Sequence, residues 1–220
     1  FQPGVGVSSA TGLSYGNVYW HMLTDWDLAG YIIAILDAER LGIVSKEGSW
    51  GSDFRIGKVL DFLANRSVRS DGTPYLVYKS DNGGVEGDPG PTNPSDAGRL
   101  LVALHRLKKS RPNLSETVDY MVYQKHNYSV LALDAGAWEN TNLYYGYYAS
   151  LGFKFFSFDS YGPVKTALGA MDRLKETEKR GNVIDLHGVK LPRAAVITEP
   201  LVLGILEMGN EVGPVFRDYA

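Results

Sequence analysis

The sequence predicts an all-α fold, an (α/α) toroid of helical hairpins with a short strand and long loops at its cleft. Apolar residues recur with the helical period along most of the 220 residues. Helices that are apolar on almost every side alternate with amphipathic ones, and helices that are apolar all round are normally buried. A weak repeat, AGYIIAIL against AGRLLVAL, links two of the apolar helices. Hairpins that each pair an inner helix with an outer one are the simplest structure that satisfies these observations.

The helical period also gives approximate bounds for each element. Helices are predicted near 22–41, 50–67, 95–109, 115–126, 140–152, 163–180 and 199–208. Four of them have apolar centres, at Leu28–Leu36, Leu100–Leu104, Leu143–Leu151 and Leu201–Leu206. These four are the predicted inner helices, and the helices between them carry charged residues on one face. An irregular all-α globule is the alternative architecture.

Long loops rich in Gly, Pro, Asn and Asp interrupt the helices, chiefly from Lys79 to Asp96. Just before this loop, TPYLVYKS alternates apolar and polar residues, which predicts a short strand that includes Tyr78. Loops of this length in a compact domain usually carry function or are disordered. No linker divides the chain, so we expect one domain over residues 1–220, with residues 1–18 as an extended N-terminal tail.

The composition argues against several classes of partner. The net charge of −3 and the lack of basic clusters give no reason to expect nucleic acid. The absence of cysteine excludes disulfides, thiolate metal sites and cysteine nucleophiles. No apolar run approaches the roughly 20 residues that span a bilayer. The first residues, FQPGVGVSSATG, lack the basic and apolar segments of a signal peptide, which fits either an extracellular chain after signal removal or a trimmed one.

No cofactor or metal site is predicted. The four histidines form no HExxH or paired metal spacing, and no nucleophile elbow or dinucleotide-binding glycine pattern is present. A set of oxygen ligands for calcium is conceivable in the long loop, at Asp81, Asn82, Glu86 and Asp88. These residues lack the spacing of an EF-hand, so the calcium signal is weak.

Each apolar helix carries an acid at or just before its start. These acids are Asp25, Asp27, Asp96, Glu139 and Glu199. The inner helices of a toroid run parallel, so their starts, and with them these carboxylates, would meet at one mouth. Taken singly, most of the acids also fit ordinary helix starts, where the helix dipole favours anions. Thr24 and Asp27 form a capping box, and Ser95 is a natural N-cap before Asp96.

Aromatic residues accompany these acids, with 14 Tyr and 4 Trp in the chain. Rings beside carboxylates suit a carbohydrate, whose C–H faces stack on the rings while its hydroxyls bond to the acids. The candidate substrate-binding residues are Trp26, Trp138, Tyr78, Tyr144, Tyr145, Tyr148 and Arg99. For any single tyrosine, packing between helices is the alternative.

Capping does not account for Glu139 or Asp25. Glu139 lies next to Trp138, and an acid beside a large ring can have a raised pKa and donate a proton. We therefore assign Glu139 as the general acid, and Asp25, Asp27 or Asp96 as the base or nucleophile. Two carboxyl groups about 5–5.5 Å apart would retain the anomeric configuration and about 6.5–9.5 Å would invert it, which the sequence leaves open.

Several motifs occur in an order that resembles a known family. They are TDWDLAGYIIAILDAERLGI, VLDFL, PYLVYKSDNG, PSDAGRLLVALHRL and EPLVLGILEMG, between Thr24 and Gly209. Together they resemble a domain family of unknown function from archaeal and bacterial proteins. That family is in turn similar to the glycoamylase-like domain of cyclic β-glucan synthases. The resemblance implies a six-hairpin-glycosidase type of toroid with an acid-lined cleft and a glycan as ligand. It matches Asp96 to the acid of the SDAG motif and Glu199 to the acid of the EP helix, and it places Asp25 and Asp27 on the matching first helix.

These observations predict a carbohydrate-active protein that hydrolyses glycosidic bonds of a glucan-like polysaccharide with paired carboxylates. Only four inner helices are visible where a complete toroid of that type has six, so we expect a ring that is open, differently closed or truncated. A non-catalytic glycan-binding module or scaffold is the alternative function. A toroid that acts on a lipid or isoprenoid is disfavoured, because such sites need aspartate-rich metal motifs that the sequence lacks.

Overall fold

A computed structural model describes residues 2–134, 143–193 and 199–220, and these residues are mostly helical. The longer helices are α1 (Asp25–Arg40), α2 (Ser52–Asn65), α3 (Pro94–Ser110), α6 (Leu143–Phe155), α8 (Ala170–Lys179) and α9 (Glu199–Met208). The shorter helices are α4 (Ser115–Tyr120), α5 (Tyr128–Asp134), α7 (Gly162–Leu168) and α10 (Pro214–Tyr219). The strands are β1 (Met22–Leu23), β2 (Tyr78–Lys79), β3 (Val183–Leu186) and β4 (Val189–Pro192). This content agrees with the predicted all-α class.

The strands form two short antiparallel pairs. Strand β1 pairs with β2, with Leu23 opposite Tyr78, and this pair holds the start of the long loop beside the start of α1. Strand β3 pairs with β4 through a turn in which His187 has a φ of 53° and Gly188 a φ of 88°. The strand expected over TPYLVYKS is confirmed only for its last residues, Tyr78 and Lys79.

The predicted helices are present where the chain is described, with corrections at their ends, and residues 140–142 of the helix predicted near 140–152 lie outside the described residues. A five-residue π-helical turn continues α4, so the helix predicted over 115–126 changes its hydrogen-bonding pattern part-way along. The helix predicted over 163–180 is divided into α7 and α8 at Gly169. Helices α5 and α10 were not predicted, because seven and six residues are too few to show a helical period.

Helix starts follow ordinary capping chemistry. Helix α1 begins with the expected capping box, in which Thr24 accepts from Asp27 N at 3.3 Å and Asp27 accepts from Thr24 N at 2.9 Å. Helix α3 corrects the prediction, since Asn93 rather than Ser95 is its N-cap and accepts from Asp96 N at 2.9 Å. Pro94 explains the difference, because a proline is well suited to the first helical position and lets the helix begin earlier.

Helices α1, α3 and α6 run in the same direction. At their starts, Trp26 of α1 lies 5.8 Å from Tyr145 of α6, measured between ring centroids. Towards their ends, His105 of α3 stacks on Phe155 of α6 with centroids 4.0 Å apart. Arg106 of α3 likewise donates to Asp37, late in α1, at 2.5 Å. Residues near the starts of these helices thus contact one another, and so do residues near their ends, as expected for parallel helices.

Helix α9 joins the same end of the domain. Its first residue, Glu199, accepts a hydrogen bond from Tyr145 near the start of α6. The four apolar helices therefore bring their starts together, as the sequence led us to expect.

Helices α3 and α6 approach until their backbones touch. A Cβ added at Gly98 would lie 2.5 Å from Ala149 O, and one added at Gly152 would lie 2.0 Å from Gly98 O. Only glycine fits at such a contact. Asp96 lies two residues before Gly98, so this close approach also sets the position of Tyr145 on α6 relative to Asp96 on α3.

The N-terminal segment is part of the packed domain rather than an extended tail. Val7 and Leu13 are 2% and 1% exposed and belong to the same core as Leu28 and Ile32 of α1. Burial of these side chains ties residues 5–16 to the helices. Among the residues described, no helix has both the length and the apolar character needed to cross a bilayer.

Candidate functional site

A hollow of about 310 Å³ lies at the common end of the apolar helices. Trp26 comes from the first turn of α1, Ser95 and Asp96 from the first turn of α3, and Tyr145 from the start of α6. We call it the acid hollow. Three separate helices build it, and each contributes a residue within about one turn of its start. The hollow therefore exists only because the helix starts converge.

Asp96 is the carboxylic acid of this hollow. Its exposure is only 9%, although it lines an open cavity. Burial raises the pKa of Asp96 to about 6, the Asp25 carboxylate adds to the rise, and hydrogen bonding with Asn93 opposes it. Asp96 is thus a carboxylic acid that keeps its proton in mildly acidic solution and can donate it.

Glu199 contacts Tyr145, which lines the acid hollow. It is exposed at the first position of α9 and accepts a hydrogen bond from the hydroxyl of Tyr145. Burial, and then the hydrogen bond to Glu199, raise the pKa of Tyr145, so its hydroxyl remains a donor. Tyr145 therefore connects the wall of the hollow to a second carboxylate.

Asp25 does not line the acid hollow. Arg66 Nη1 donates to Asp25 Oδ1 at 2.5 Å, and neither side chain has any exposed surface. Arg66 Nε donates to His126 Nε2 at 3.0 Å, and burial lowers the pKa of His126 to about 2, so the ring is a neutral acceptor. The geometry makes Asp25 a buried partner of Arg66 and gives no support to its expected role as base or nucleophile.

Asp27 is held in the capping box of α1 by both the backbone N–H and the hydroxyl of Thr24. Its carboxylate adds to the raised pKa of Asp96, after Asp25. Asp27 therefore acts on the acid hollow through its charge.

Arg99 fixes the position of Trp26. Its guanidinium carbon lies 4.2 Å from the centroid of the Trp26 ring, and its Nη2 donates to Glu207 Oε1 at 2.6 Å. Glu207 is 7% exposed and also accepts from the hydroxyl of Tyr148, which is fully buried. A stacked guanidinium held by a buried carboxylate leaves the indole little freedom.

Glu207 and Arg66 were missed in the sequence. Glu207 is the single charged residue inside the apolar run from Leu201 to Met208, and this isolated charge was the available signal. Arg66 offered no comparable signal, because its partner Asp25 lies 41 residues away along the chain.

The comparison with family models confirms one part of the resemblance, the membership of a domain family of unknown function. The model of a family described as "Protein of unknown function (DUF3131)" matches residues 5–219. The chain belongs to the DUF3131 family. No curated protein and no solved structure matches it.

The tyrosines of this DUF3131 domain divide into site and packing residues. Tyr78 is fully buried, donates to Ser67 O at 2.7 Å and accepts from Tyr75 N at 2.9 Å, so it packs rather than offering a face to a ligand. Tyr144 is buried against Phe216, away from the acid hollow. Tyr148 is buried behind Trp26, which leaves Tyr145 as the predicted tyrosine that lines the hollow.

Two predicted site residues of the DUF3131 domain, Glu139 and Trp138, lie outside the described residues. They precede α6, whose third residue is Tyr145.

The acids proposed as weak calcium ligands are engaged with other parts of the domain. Asp81 accepts from Tyr15 at 2.8 Å, Asp88 pairs with Arg69 at 2.6 Å, and Glu86 pairs with Lys79 at 3.1 Å. Within the described ranges, no group of three or more His, Asp or Glu side chains is arranged to hold a metal ion.

Proposed function

We propose that this domain is a carbohydrate-active protein that hydrolyses glycosidic bonds of a glucan-like polysaccharide at the acid hollow. The observation that carries the proposal is Asp96, a shielded carboxyl group with its pKa raised to about 6, facing a hollow walled by Trp26 and Tyr145. Aromatic walls stack on the C–H faces of sugars, and a protonated acid between them can protonate a leaving oxygen.

In the proposed reaction, Asp96 gives its proton to the glycosidic oxygen as the bond to the anomeric carbon breaks. Water supplies the new hydroxyl at that carbon, and a second carboxylate takes the proton that water releases. Glu199 suits the second role, because it is exposed and connected to the hollow through Tyr145. Glu139, assigned as general acid from the sequence, remains a candidate carboxylate just ahead of α6.

We also propose that the helices form an (α/α) toroid similar to the glycoamylase-like domains of cyclic β-glucan synthases. The common direction of α1, α3 and α6 and the converging helix starts support it. Arg99 of α3 also contacts Glu207 of α9, so α3 contacts all three of the other apolar helices. This arrangement is tighter than a wide, complete ring, so the toroid that we propose is an incomplete one.

A second candidate function is a non-catalytic glycan-binding module. It is favoured by the engagement of Asp25 with Arg66 and of Asp27 with Thr24, which leaves few open carboxylates around Asp96. Such a module would use Trp26 and Tyr145 for stacking without cleaving the glycan.

The test compares Asp96→Asn with Asp172→Asn. Asp172 is an exposed first-turn acid of α8, so the control makes the same chemical change at another helix start. Release of reducing ends from soluble glucans of several linkages is measured near pH 5, with binding measured on the same samples.

Hydrolysis by wild type and by Asp172→Asn, with a loss of about 100-fold or more in Asp96→Asn, is the expected result. Binding without hydrolysis in all three proteins would support the binding module instead. Full hydrolysis by Asp96→Asn would remove Asp96 from the mechanism.

A further inference from the structure

A second hollow adjoins the acid hollow across Trp26. It has a volume of about 360 Å³ and is lined by Trp26, Asp27, Gly30, Tyr31 and Arg99, with Tyr15 on the N-terminal segment. We call it the arginine hollow. Trp26 lines both cavities, so the two hollows are neighbours.

Two residues that line the arginine hollow each carry a buried polar atom without a hydrogen-bond partner among the described residues. Ser14 is 7% exposed, lines the hollow, and its Oγ makes no hydrogen bond within the described structure. The Nε of Arg99 is buried and equally unpaired. A buried polar group without a partner costs about 1–3 kcal/mol, so a hollow that keeps two of them is suited to a ligand rich in hydroxyl groups.

The charges around the hollow disfavour an anionic ligand. The positive charge of Arg99 is already paired with Glu207, and Asp27 adds a further carboxylate to the wall. The three charges sum to about −1, which disfavours a uronic acid or a phosphorylated sugar. Tyr15, Tyr31 and Trp26 contribute aromatic surface to the hollow, which suits the C–H groups of a neutral sugar ring.

We propose that the arginine hollow is a second subsite, which binds a neutral sugar unit of the same glycan whose neighbouring unit occupies the acid hollow. This inference rests on the proposed carbohydrate function and extends it, since it assigns the protein a preference for uncharged oligosaccharides that reach across Trp26. Ser14 and Arg99 are the proposed polar contacts of this second unit.

Gly30 allows the hollow to be filled without breaking the helix. A Cβ at Gly30 has only Arg99 Nη2 near it among the described atoms, at 3.8 Å, so Gly30→Leu extends into open space. The exchange also removes a glycine from a helix interior, which by itself stabilises α1. The control is Gly57→Leu on an exposed face of α2, where an added Cβ meets nothing within 4 Å.

Ser14→Ala tests the polar contact, and Ser150→Ala is its matched control. Ser150 is also a buried serine whose Oγ has no partner in the described structure, but it belongs to α6 and does not line the arginine hollow. Both exchanges remove an unsatisfied hydroxyl, so both proteins should fold at least as stably as the parent.

The measurement is calorimetric binding of neutral glucose oligomers of increasing length and several linkages, in an Asp96→Asn background that prevents cleavage. Gly30→Leu should weaken binding of the longer oligomers about tenfold, which corresponds to about 1.4 kcal/mol, and leave the shortest oligomer unchanged. Ser14→Ala should lose about threefold, and Gly57→Leu and Ser150→Ala should bind like the parent.

The outcomes separate this inference from the function on which it rests. Equal affinities of Gly30→Leu and Gly57→Leu for long oligomers would overturn the second subsite while carbohydrate binding stands. Tighter binding of glucuronate-containing oligomers than of neutral ones would overturn the assignment of a neutral ligand. If the parent binds no oligomer, the proposed function and the subsite both fail.

Discussion

Replacement of Asp96 by asparagine should stabilise the protein, and only above mildly acidic pH. Burial raises the pKa of Asp96 from its ordinary value of 3.8 to about 6. At 1.36 kcal/mol for each pKa unit, this difference corresponds to about 3 kcal/mol. Asparagine has nearly the same shape and carries no charge, so Asp96→Asn removes this unfavourable ionisation.

The direction in which stability changes with pH follows from proton binding to the folded and unfolded states. Between about pH 4 and pH 6 the folded protein keeps the Asp96 proton while the unfolded chain releases it, so the free energy of unfolding falls as pH rises through this window. Below about pH 4 both states are protonated and the exchange should change little. Above about pH 6 the full effect should appear, reduced by up to about 1 kcal/mol because the start of α3 favours an anion.

Urea denaturation near pH 4 and near pH 8 measures the difference. Asp96→Asn should gain about 2 kcal/mol at the higher pH relative to the lower, and the exposed control Asp172→Asn should stay within about 0.5 kcal/mol at both. If Asp96 only stabilised the start of its helix, Asp96→Asn would lower the free energy of unfolding at pH 8, because the exchange would remove a favourable interaction with the helix dipole. A destabilised Asp96→Asn protein at pH 8, or an effect independent of pH, would refute the reasoning.

Two further predictions concern stability. Gly98→Ala should destabilise the protein by several kcal/mol in thermal unfolding, because the new methyl group would lie 2.5 Å from a backbone oxygen of α6. The control is Gly57→Ala on the exposed face of α2, which should gain up to about 1 kcal/mol of stability in the same assay. Arg66→Met should lose about 3–5 kcal/mol in urea denaturation because it leaves Asp25 buried and unpaired. The double variant Asp25→Asn/Arg66→Met should recover most of that loss, and equal losses in the single and double variants would contradict the pairing.

Helix periodicity located the long elements well and the short ones poorly. The apolar runs of α1, α3 and α9 are long enough to show a helical period, and each helix is present. The hairpin of β3 and β4 was missed although VIDLHGVKLP alternates apolar and polar residues around a His-Gly turn. The start of α3 was displaced because Ser95 and Asn93 are both good N-caps, and Pro94 decides between them.

The candidate site divides in the same way. Local sequence was sufficient to find acids at helix starts, including Asp96 and Glu199, and to place Trp26 beside them. It could not tell Tyr145, which lines the acid hollow, from Tyr148 three residues later, which is buried. That distinction depends on which face of α6 packs against α3, through the glycine contact at Gly98.

By itself the sequence determined the helical class, the positions of the apolar helices and the presence of an acid at each start, because these features depend on neighbours along the chain. Tertiary structure alone decided that Asp25 is paired inside the core while Asp96 borders a hollow with a raised pKa. The physical reason is that a carboxyl group's charge depends on burial and on nearby charges. For Asp25 that charge is Arg66, which follows 41 positions later and becomes a neighbour only when the chain folds.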